Sequence, residues 1–396
     1  MTQLRFDERG TKESLRARND VVVLQAIAVG AGKYARTDVA RETGLPGATV
    51  SEIVTSLIER GLVREAGRDA THRGKPRVLL ELDDSHHRMV GVHIGPGRVQ
   101  ASVMTLTGHV EESVTVDVHP ALDEVLPVMA DLMERLAPPD ANVAAVGVAA
   151  PGIVGDDGVI REAVNYGWRM VPVGRELSQR CRGLPVHVIN DANAVALSEV
   201  ALSASPEHTV ALLWIGTGIG AGVVLDGRIY RGPGFRSGEI GHVDMGVSLR
   251  CRCGLVGCLE TVAALPSIRG DATPEVVERW QAGGDDHACR ALGERIGRAG
   301  REFARLLSMM AGTLDVTEFV VGGPVVTDPL GPAVLRAVND ALALRVMSGF
   351  SPLTARFSTL GAHSAVVGAV AHAIRQELGV VLTMVPAWDA GRPVRC

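Results

Sequence analysis

The chain has 396 residues, 46% hydrophobic and 21% charged, with a formal net charge of -5. That is apolar enough to bury two or three packed domains, and it excludes a disordered chain. The charge is unevenly spread: residues 1–80 hold 14 Lys/Arg against 10 Asp/Glu, and the remainder holds 26 against 35, so the two parts are suited to different partners. The charged N-terminus is followed only by the short apolar run Val21 to Ala28, which is neither a signal segment nor a membrane span, and a cytoplasmic protein is expected.

Residues 15–80 read as three helices and a hairpin. Leu15 to Val29 predicts a mixed apolar helix, and Thr37 is placed to cap a short helix carrying Val39 and Ala40 that stops at Thr43-Gly44. After Leu45-Pro46-Gly47, the residues Val50, Ile53, Val54, Leu57 and Ile58 recur at helical spacing and make one buried stripe. The opposite face is Thr49, Ser51, Glu52, Thr55 and Ser56, small polar groups that can approach base edges. Short helix, tight turn and longer helix match a helix-turn-helix. A strand from Gly61-Leu62-Val63, a loop from Gly67 to Lys75 and a strand from Arg77 to Leu82 complete a winged helix, with Arg64, Arg68, Arg73, Lys75 and Arg77 on or beside the wing. Operator double-stranded DNA is the expected partner, read by a dimer on two half-sites; a protein-protein adaptor is the alternative.

From residue 83 the pattern turns to strand-rich α/β. Met89 to Ile94 and Gln100 to Leu106 predict strands, Val118 to Leu136 a helix, and Val143 to Ala149 a buried strand. Asp156-Asp157-Gly158-Val159-Ile160 reads as a small hairpin, and Val186 to Ile189 as a strand ending at Asn190-Asp191-Ala192-Asn193 before the helix Ala194 to Ser203. Carboxylates and amides at the end of a parallel strand are where α/β proteins place ligand groups. Val210 to Trp214 is a further strand. Gly216 to Gly222 predicts a Gly-rich turn, either a phosphate cradle or a tight hairpin, leading to Val223-Val224-Leu225. Glu294 to Ala311, Val334 to Val346 and Gly368 to Leu378 read as helices, and Glu318 to Val321 as a strand before the turn Gly322-Gly323-Pro324.

Between them lies the most specific motif. His242, Cys251, Cys253 and Cys258 put one imidazole and three thiols in one short segment, a soft S₃N set suited to tetrahedral zinc. Four protein ligands close the coordination shell, which predicts a structural Zn²⁺ rather than a catalytic one. Cys181, Cys289 and Cys396 are scattered, so no disulfide framework is expected.

The whole chain resembles the ROK family through Gly44-Leu45 to Val63, Pro151-Gly152, Asn190-Asp191-Ala192-Asn193, Gly216 to Gly222, Glu239-Ile240-Gly241-His242, Cys251 to Glu260 and Val321-Gly322-Gly323. Family members are sugar kinases, or sugar-responsive repressors with a winged helix in front of the same fold. The resemblance implies a two-lobed actin/hexokinase-like fold: residues 1–82 as the DNA-binding domain, 83–208 as lobe one closed by a helix near 364–379, 209–359 as lobe two with the zinc site, and 380–396 as a tail. It assigns sugar hydroxyls to Asn190, Asp191, Glu239, His242 and Glu260, leaves Asn193 to order its loop, and leaves Trp168 either against an apolar sugar face or in the core. Repression released by a sugar, by a xylose, glucose or N-acetylated hexose, or by a protein effector, is the expected function of a homodimer or dimer of dimers.

An ATP-dependent kinase with Asp191 as catalytic base is the alternative, and only that reading needs Mg-ATP. The enzymes' first phosphate turn resembles Asp-x-Gly-Gly-Thr-Lys, where this chain has His93-Ile94-Gly95-Pro96-Gly97-Arg98, and Thr105 stands where they more often have Asp. No bound nucleotide is expected.

Overall fold

A computed structural model describes residues 12–69, 77–138, 141–203, 209–345 and 351–385. The N-terminal head contains α1 (Lys12–Gly30), β1 (Tyr34–Ala35), α2 (Arg36–Thr43), α3 (Gly47–Glu59), β2 (Val63–Asp69) and β3 (Arg77–Leu82). Val50, Ile53, Val54 and Leu57 of α3 are buried against Val39 of α2 and Val23, Leu24 and Ile27 of α1, as the periodicity predicts. Gly44 ends α2 at a φ of 69°, and this left-handed residue makes the turn into α3. The cap of α2 differs from the expectation. Ala35 rather than Thr37 precedes the first turn, and Asp38 reaches back to accept the Ala35 N–H at 3.0 Å. Two-residue β1 pairs with β3 and widens the wing hairpin into a three-stranded sheet.

Lobe one contains β4 (Arg88–Gly95), β5 (Arg98–Thr105), β6 (Val110–Asp117), α4 (Leu122–Leu136), β7 (Val143–Ala150), β8 (Ile153–Val154), β9 (Ile160–Ala163), β10 (Trp168–Val171), α5 (Val173–Arg180), β11 (Val186–Asn190) and α6 (Asp191–Leu202). Its main sheet has the order β11-β7-β4-β5-β6, with β11, β7 and β4 parallel. The expected helix from Val118 proves shorter. Val110 to Asp117 pairs with β5 as a strand, and the helix begins at Leu122.

Lobe two contains β12 (Val210–Ile215), β13 (Ile219–Leu225), β14 (Arg228–Ile229), α7 (Glu260–Ala263), α8 (Leu265–Arg269), α9 (Pro274–Gln281), α10 (His287–Leu314), β15 (Glu318–Gly322), α11 (Gly331–Ala343) and β16 (Thr354–Phe357); α12 (Ser364–Leu378) follows. The sheet order is β14-β13-β12-β15-β16. The Gly-rich stretch is only partly a turn. Residues 216–218 turn, and β13 starts at Ile219, because Gly222 is a packing glycine whose Cβ would strike the Ala192 carbonyl of α6.

Four apolar cores set the architecture. One packs α4 and α5 on lobe one, and another packs α10 and α11 on lobe two. A third holds α6 and part of α12 between the two sheets. The fourth runs from the head into lobe one without a break, joining α1, α2 and α3 to Met89, Met104 and the α12 face of Val366, Val370 and Ile374. No helix among the described residues is long and apolar enough to cross a membrane.

Candidate functional site

The metal-ligand cluster forms as one unit. Ligand atoms of His242, Cys251, Cys253 and Cys258 all lie within 4.8 Å of one another. Cys251 Sγ is 3.7 Å from His242 Nδ1, and Cys253 Sγ is 3.7 Å from Cys258 Sγ. Tetrahedral coordination with bonds of roughly 2.0–2.3 Å has edges of roughly 3.3–3.8 Å, and the two 3.7 Å spacings fall in that range. The loop is closed by bridges between Asp244 and Cys258 and between Arg250 and Val256, with Gly254 and Gly257 at φ of 94° and 95°. A side chain at Gly257 would collide with the Asp244 carboxylate. Burial, with Cys253 and Cys251 alongside, pushes the Cys258 thiol up to about 12. Packed thiols of this kind exchange their protons for a cation.

His242 joins this centre to a cavity of about 690 Å³ between the lobes, within the usual size of a small-molecule site. Asn190, Asp191, Glu239, His242 and Glu260 all line it, so the structure brings the five predicted groups together. Asn190 is the N-cap of α6: its Oδ1 accepts from Asn193 N–H at 3.0 Å, and its Nδ2 donates to Gly152 O at 3.0 Å. Asn193 therefore orders the turn through its backbone; its side-chain oxygen is buried without a partner. Asp191 Oδ1 accepts from Ala192 N–H at 2.8 Å. Burial, only partly offset by that bond and reinforced by Glu239, pushes Asp191 up to about 7. Glu260 is buried on α7, with Oε2 accepting from Ile219 N–H at 3.2 Å. With Nδ1 facing the sulfurs, His242 presents Nε2 toward the cavity, 4.0 Å from Glu239 Oε2.

Among the lining residues that escaped the sequence reading are Asn165 and Tyr166. Asn165 has a buried Oδ1 without a partner, and the neighbouring Tyr166 phenol is pushed up by burial and by Asp191. Both sit on a 3₁₀ turn after β9 whose only sequence signal was the stretch Asn165-Tyr166-Gly167 before Trp168. Trp168 itself is 5% exposed and packs in the lobe-one core with its indole N–H donated to Pro120 O, while also reaching the cavity lining.

At the far side of the cavity, Trp214 stands among three turns. A side chain at Gly323 would run into its indole, one at Gly216 would strike Pro324 beside it, and its ring meets His93 edge to face at 6.1 Å. Burial, reinforced by Arg98, pushes His93 down to about 4, so it is neutral at pH 7, and its Nε2 has no partner. Thr105 lies elsewhere. The β4–β5 register sets it opposite Arg88, at the end of the sheet away from Gly95-Pro96, and its hydroxyl accepts from His109 N–H.

On the head, Ser51, Glu52 and Thr55 are exposed on α3 and Thr49 is half-buried. Glu52 pairs with Arg16 at 3.2 Å, and the Thr55 hydroxyl donates to Ser51 O. Arg64 is exposed and pairs with Glu81 at 2.6 Å. Arg77, expected on the wing, is engaged instead by Asp38 and Asp69 at 3.0 and 2.8 Å, which ties the wing base to α2. Arg73 and Lys75 lie outside the described residues.

The fold and cavity define a two-lobed α/β protein of the sugar-kinase type with a helix-turn-helix module in front. Residues 89–376 match the model of the ROK family, and residues 21–67 match the IclR helix-turn-helix domain. The chain belongs to the ROK family. It is 30% identical over 264 residues to the xylose repressor of Caldicellulosiruptor bescii, an alignment covering 64% of this chain and 66% of the repressor, just under two thirds of that relative's length. Two solved structures are similar. One is a ROK family transcriptional regulator homologous to the E. coli Mlc protein, with TM-score 0.71 and 25% identity, covering 90% of this chain and 95% of that one. The other is a ROK family glucokinase from Streptomyces griseus in complex with glucose and AMPPNP, with TM-score 0.63 and 26% identity, covering 73% of this chain and 99% of that one.

Proposed function

We propose that this chain is a sugar-responsive transcriptional regulator, a repressor that releases operator DNA when a sugar occupies the interlobe cavity. The observation that carries the reading is the asymmetry of that cavity. One side keeps Asn190, Asp191, Glu239, His242 and Glu260, and the β4–β5 turn that resembles the kinases' phosphate turn carries a buried, neutral His93 against Trp214, with Pro96 and Gly97 after it. A neutral imidazole offers Mg²⁺ no carboxylate oxygen, and Pro96 has no amide N–H to give a phosphate. Asp191 and Glu239 accept sugar hydroxyls, and Glu260 has a second oxygen free of the Ile219 bond.

The ion at His242, Cys251, Cys253 and Cys258 is zinc in this reading, because three thiolates and an imidazole in a closed shell suit it best. Zinc would fix the loop and the His242 tautomer. With Nδ1 held by the metal, His242 would keep its proton on Nε2, the nitrogen on the cavity side, and could donate it there. The head reads the major groove with Ser51, Glu52, Thr55 and Thr49, and Arg64, Arg73 and Lys75 meet the phosphates. A homodimer presents two such heads.

One observation favours a kinase as the second reading: a carboxyl held up to about 7, Asp191, is suited to serve as base for a sugar hydroxyl. The test begins with thermal shift of the zinc-loaded protein against D-xylose, D-glucose and N-acetyl-D-glucosamine, followed by duplex binding with and without the stabilising sugar. The expected result is stabilisation, loss of duplex affinity and no ATP consumption. Turnover of roughly 1–1000 per second that disappears in Asp191→Ala would overturn the regulator reading in favour of the kinase.

A further inference from the structure

The stretch Gly379–Val385 joins three parts of the molecule. Gly379 caps α12 at a φ of 73° and abuts Val21 of α1. Beyond it burial alternates: Val380, Leu382 and Met384 are 0%, 3% and 2% exposed and enter the same apolar core as α1. This backbone lies in no sheet, and a side chain supplies strand-like pairing instead. Gln25 of α1 donates its Nε2 to Val381 O and accepts from Val381 N–H with its Oε1, both at 2.8 Å. A primary amide carries one donor group and one acceptor, the complement of a single peptide residue.

The other end of the stretch is held by lobe one. Met384 N–H donates to Ala201 O at 2.6 Å, and Val385 N–H donates to Thr107 O at 2.9 Å. Ala201 is in the last turn of α6, where carbonyls have no partner within the helix. The first turn of the same helix carries Asp191, with Asn190 as its cap, in the ligand cavity. The helix is twelve residues long, about 18 Å of axis. Residues Ala192 to Ala201 are all buried, so α6 moves as a rigid body with whatever is bonded to its ends.

We propose that Gly379–Val385 is the strap through which the cavity acts on the reading head, with Gln25 as the positioning residue that grips it. The inference rests on the effector reading above. A ligand that draws Asn190 and Asp191 toward lobe two displaces α6, and α6 carries Met384. Val381 and Gln25 then pass the displacement to α1, whose core is shared with α2 and α3.

The experiment uses full-length, zinc-loaded protein, D-xylose and D-glucose as ligands, and a duplex selected from a random-sequence pool by the sugar-free parent. Sugar affinity is measured by calorimetry, and duplex affinity with and without sugar by fluorescence anisotropy. In the parent, sugar weakens duplex binding by a factor in the range of about 5–150, typical of coupled sites. Gln25→Leu keeps the parent's sugar affinity and loses most of that factor, and hydrogen exchange finds its Val381 amide unprotected. If Gln25→Leu does not melt cooperatively, Gln25→Glu, which retains the acceptor and loses the donor, is read in the same way and gives an intermediate factor. A Gln25 variant that releases the duplex by the parent's full factor overturns the strap and leaves the sugar-responsive reading standing. A parent whose duplex affinity neither sugar changes overturns the sugar-responsive reading, and the strap with it.

Discussion

Replacing Asp191 by Asn isolates the electrostatic cost of the cavity. Burial is the main cause of the raised value. The Ala192 N–H offsets part of it, and the Glu239 carboxylate adds to it, leaving Asp191 at about 7 against 3.8 for the free side chain. Between these two values an unfolded chain is ionised at this group and the folded chain is protonated. The folded state therefore binds more protons, and stability falls as pH rises from about 4 to about 7, then levels off. At 1.36 kcal/mol per pH unit, the interval corresponds to about 4 kcal/mol, an upper bound for a group that water partly reaches. Asn cannot ionise and keeps an oxygen for the Ala192 N–H. Asp191→Asn is thus expected to match the parent near pH 4 and to exceed it by about 2–4 kcal/mol at pH 8. Urea unfolding of both proteins across this range measures the difference, and carboxyl-carbon NMR measures the Asp191 titration directly. A pH-independent difference, or a carboxyl that titrates below pH 5, would refute the reasoning.

Elemental analysis of protein purified without chelators should find about one zinc per chain. Cys258→Ser, at a position 0% exposed, should lose the ion and lower the melting temperature, and a variant that retains stoichiometric metal would count against the ligand set. Leu57→Ala removes a side chain 1% exposed at the centre of the head and should cost about 2–5 kcal/mol; circular dichroism melts that superimpose on the parent's would show that the stripe does not hold the head together. Arg64→Ala should weaken all duplexes about equally and reduce the salt slope by about one, whereas Ser51→Ala should change the ranking of duplex sequences; gel-shift titrations in which both match the parent would remove α3 and the wing from the interface.

What was legible in the sequence was local. The α3 stripe and the Cys251–Cys258 spacing place their side chains through one element or one loop, and both appear as read. The five cavity groups come from distant segments, but each sits in a short motif at a strand or helix end, so the family resemblance located them. Non-local pairing was not legible. Two-residue β1 is a strand only because β3 lies beside it, and Val110 to Asp117 is a strand only because β5 pairs with it. Thr105 was assigned to the phosphate side through the family resemblance, at a strand end where the kinases more often have Asp, but the antiparallel register carries that end away from Gly95-Pro96. Gly222 was read as a turn residue when its role is to let α6 approach the sheet. Gln25 has no signature in an amphipathic pattern, because its partner is the backbone of a residue 356 positions away.

Packing glycines bear on how a ligand in this cavity would act mechanically. A Cβ at Gly222 would strike the Ala192 carbonyl, one at Gly368 the Ala194 carbonyl, and one at Gly147 the Ala369 carbonyl. Helices α6 and α12 are therefore packed backbone to backbone between the two sheets, where side chains have little room to absorb a shift. In a kinase of this architecture, lobe closure brings a phosphate to a sugar hydroxyl. In the regulator reading proposed above no phosphate is transferred, and the free energy of closure is left to change the arrangement of α6, the strap and α1. A sugar shifts that arrangement only by the difference in its affinity for the two lobe positions. In the proposed reading, Asn190 and Asp191 on lobe one and Glu239, His242 and Glu260 on lobe two, which line one cavity, would supply such a difference by engaging one ligand together only when the lobes are close.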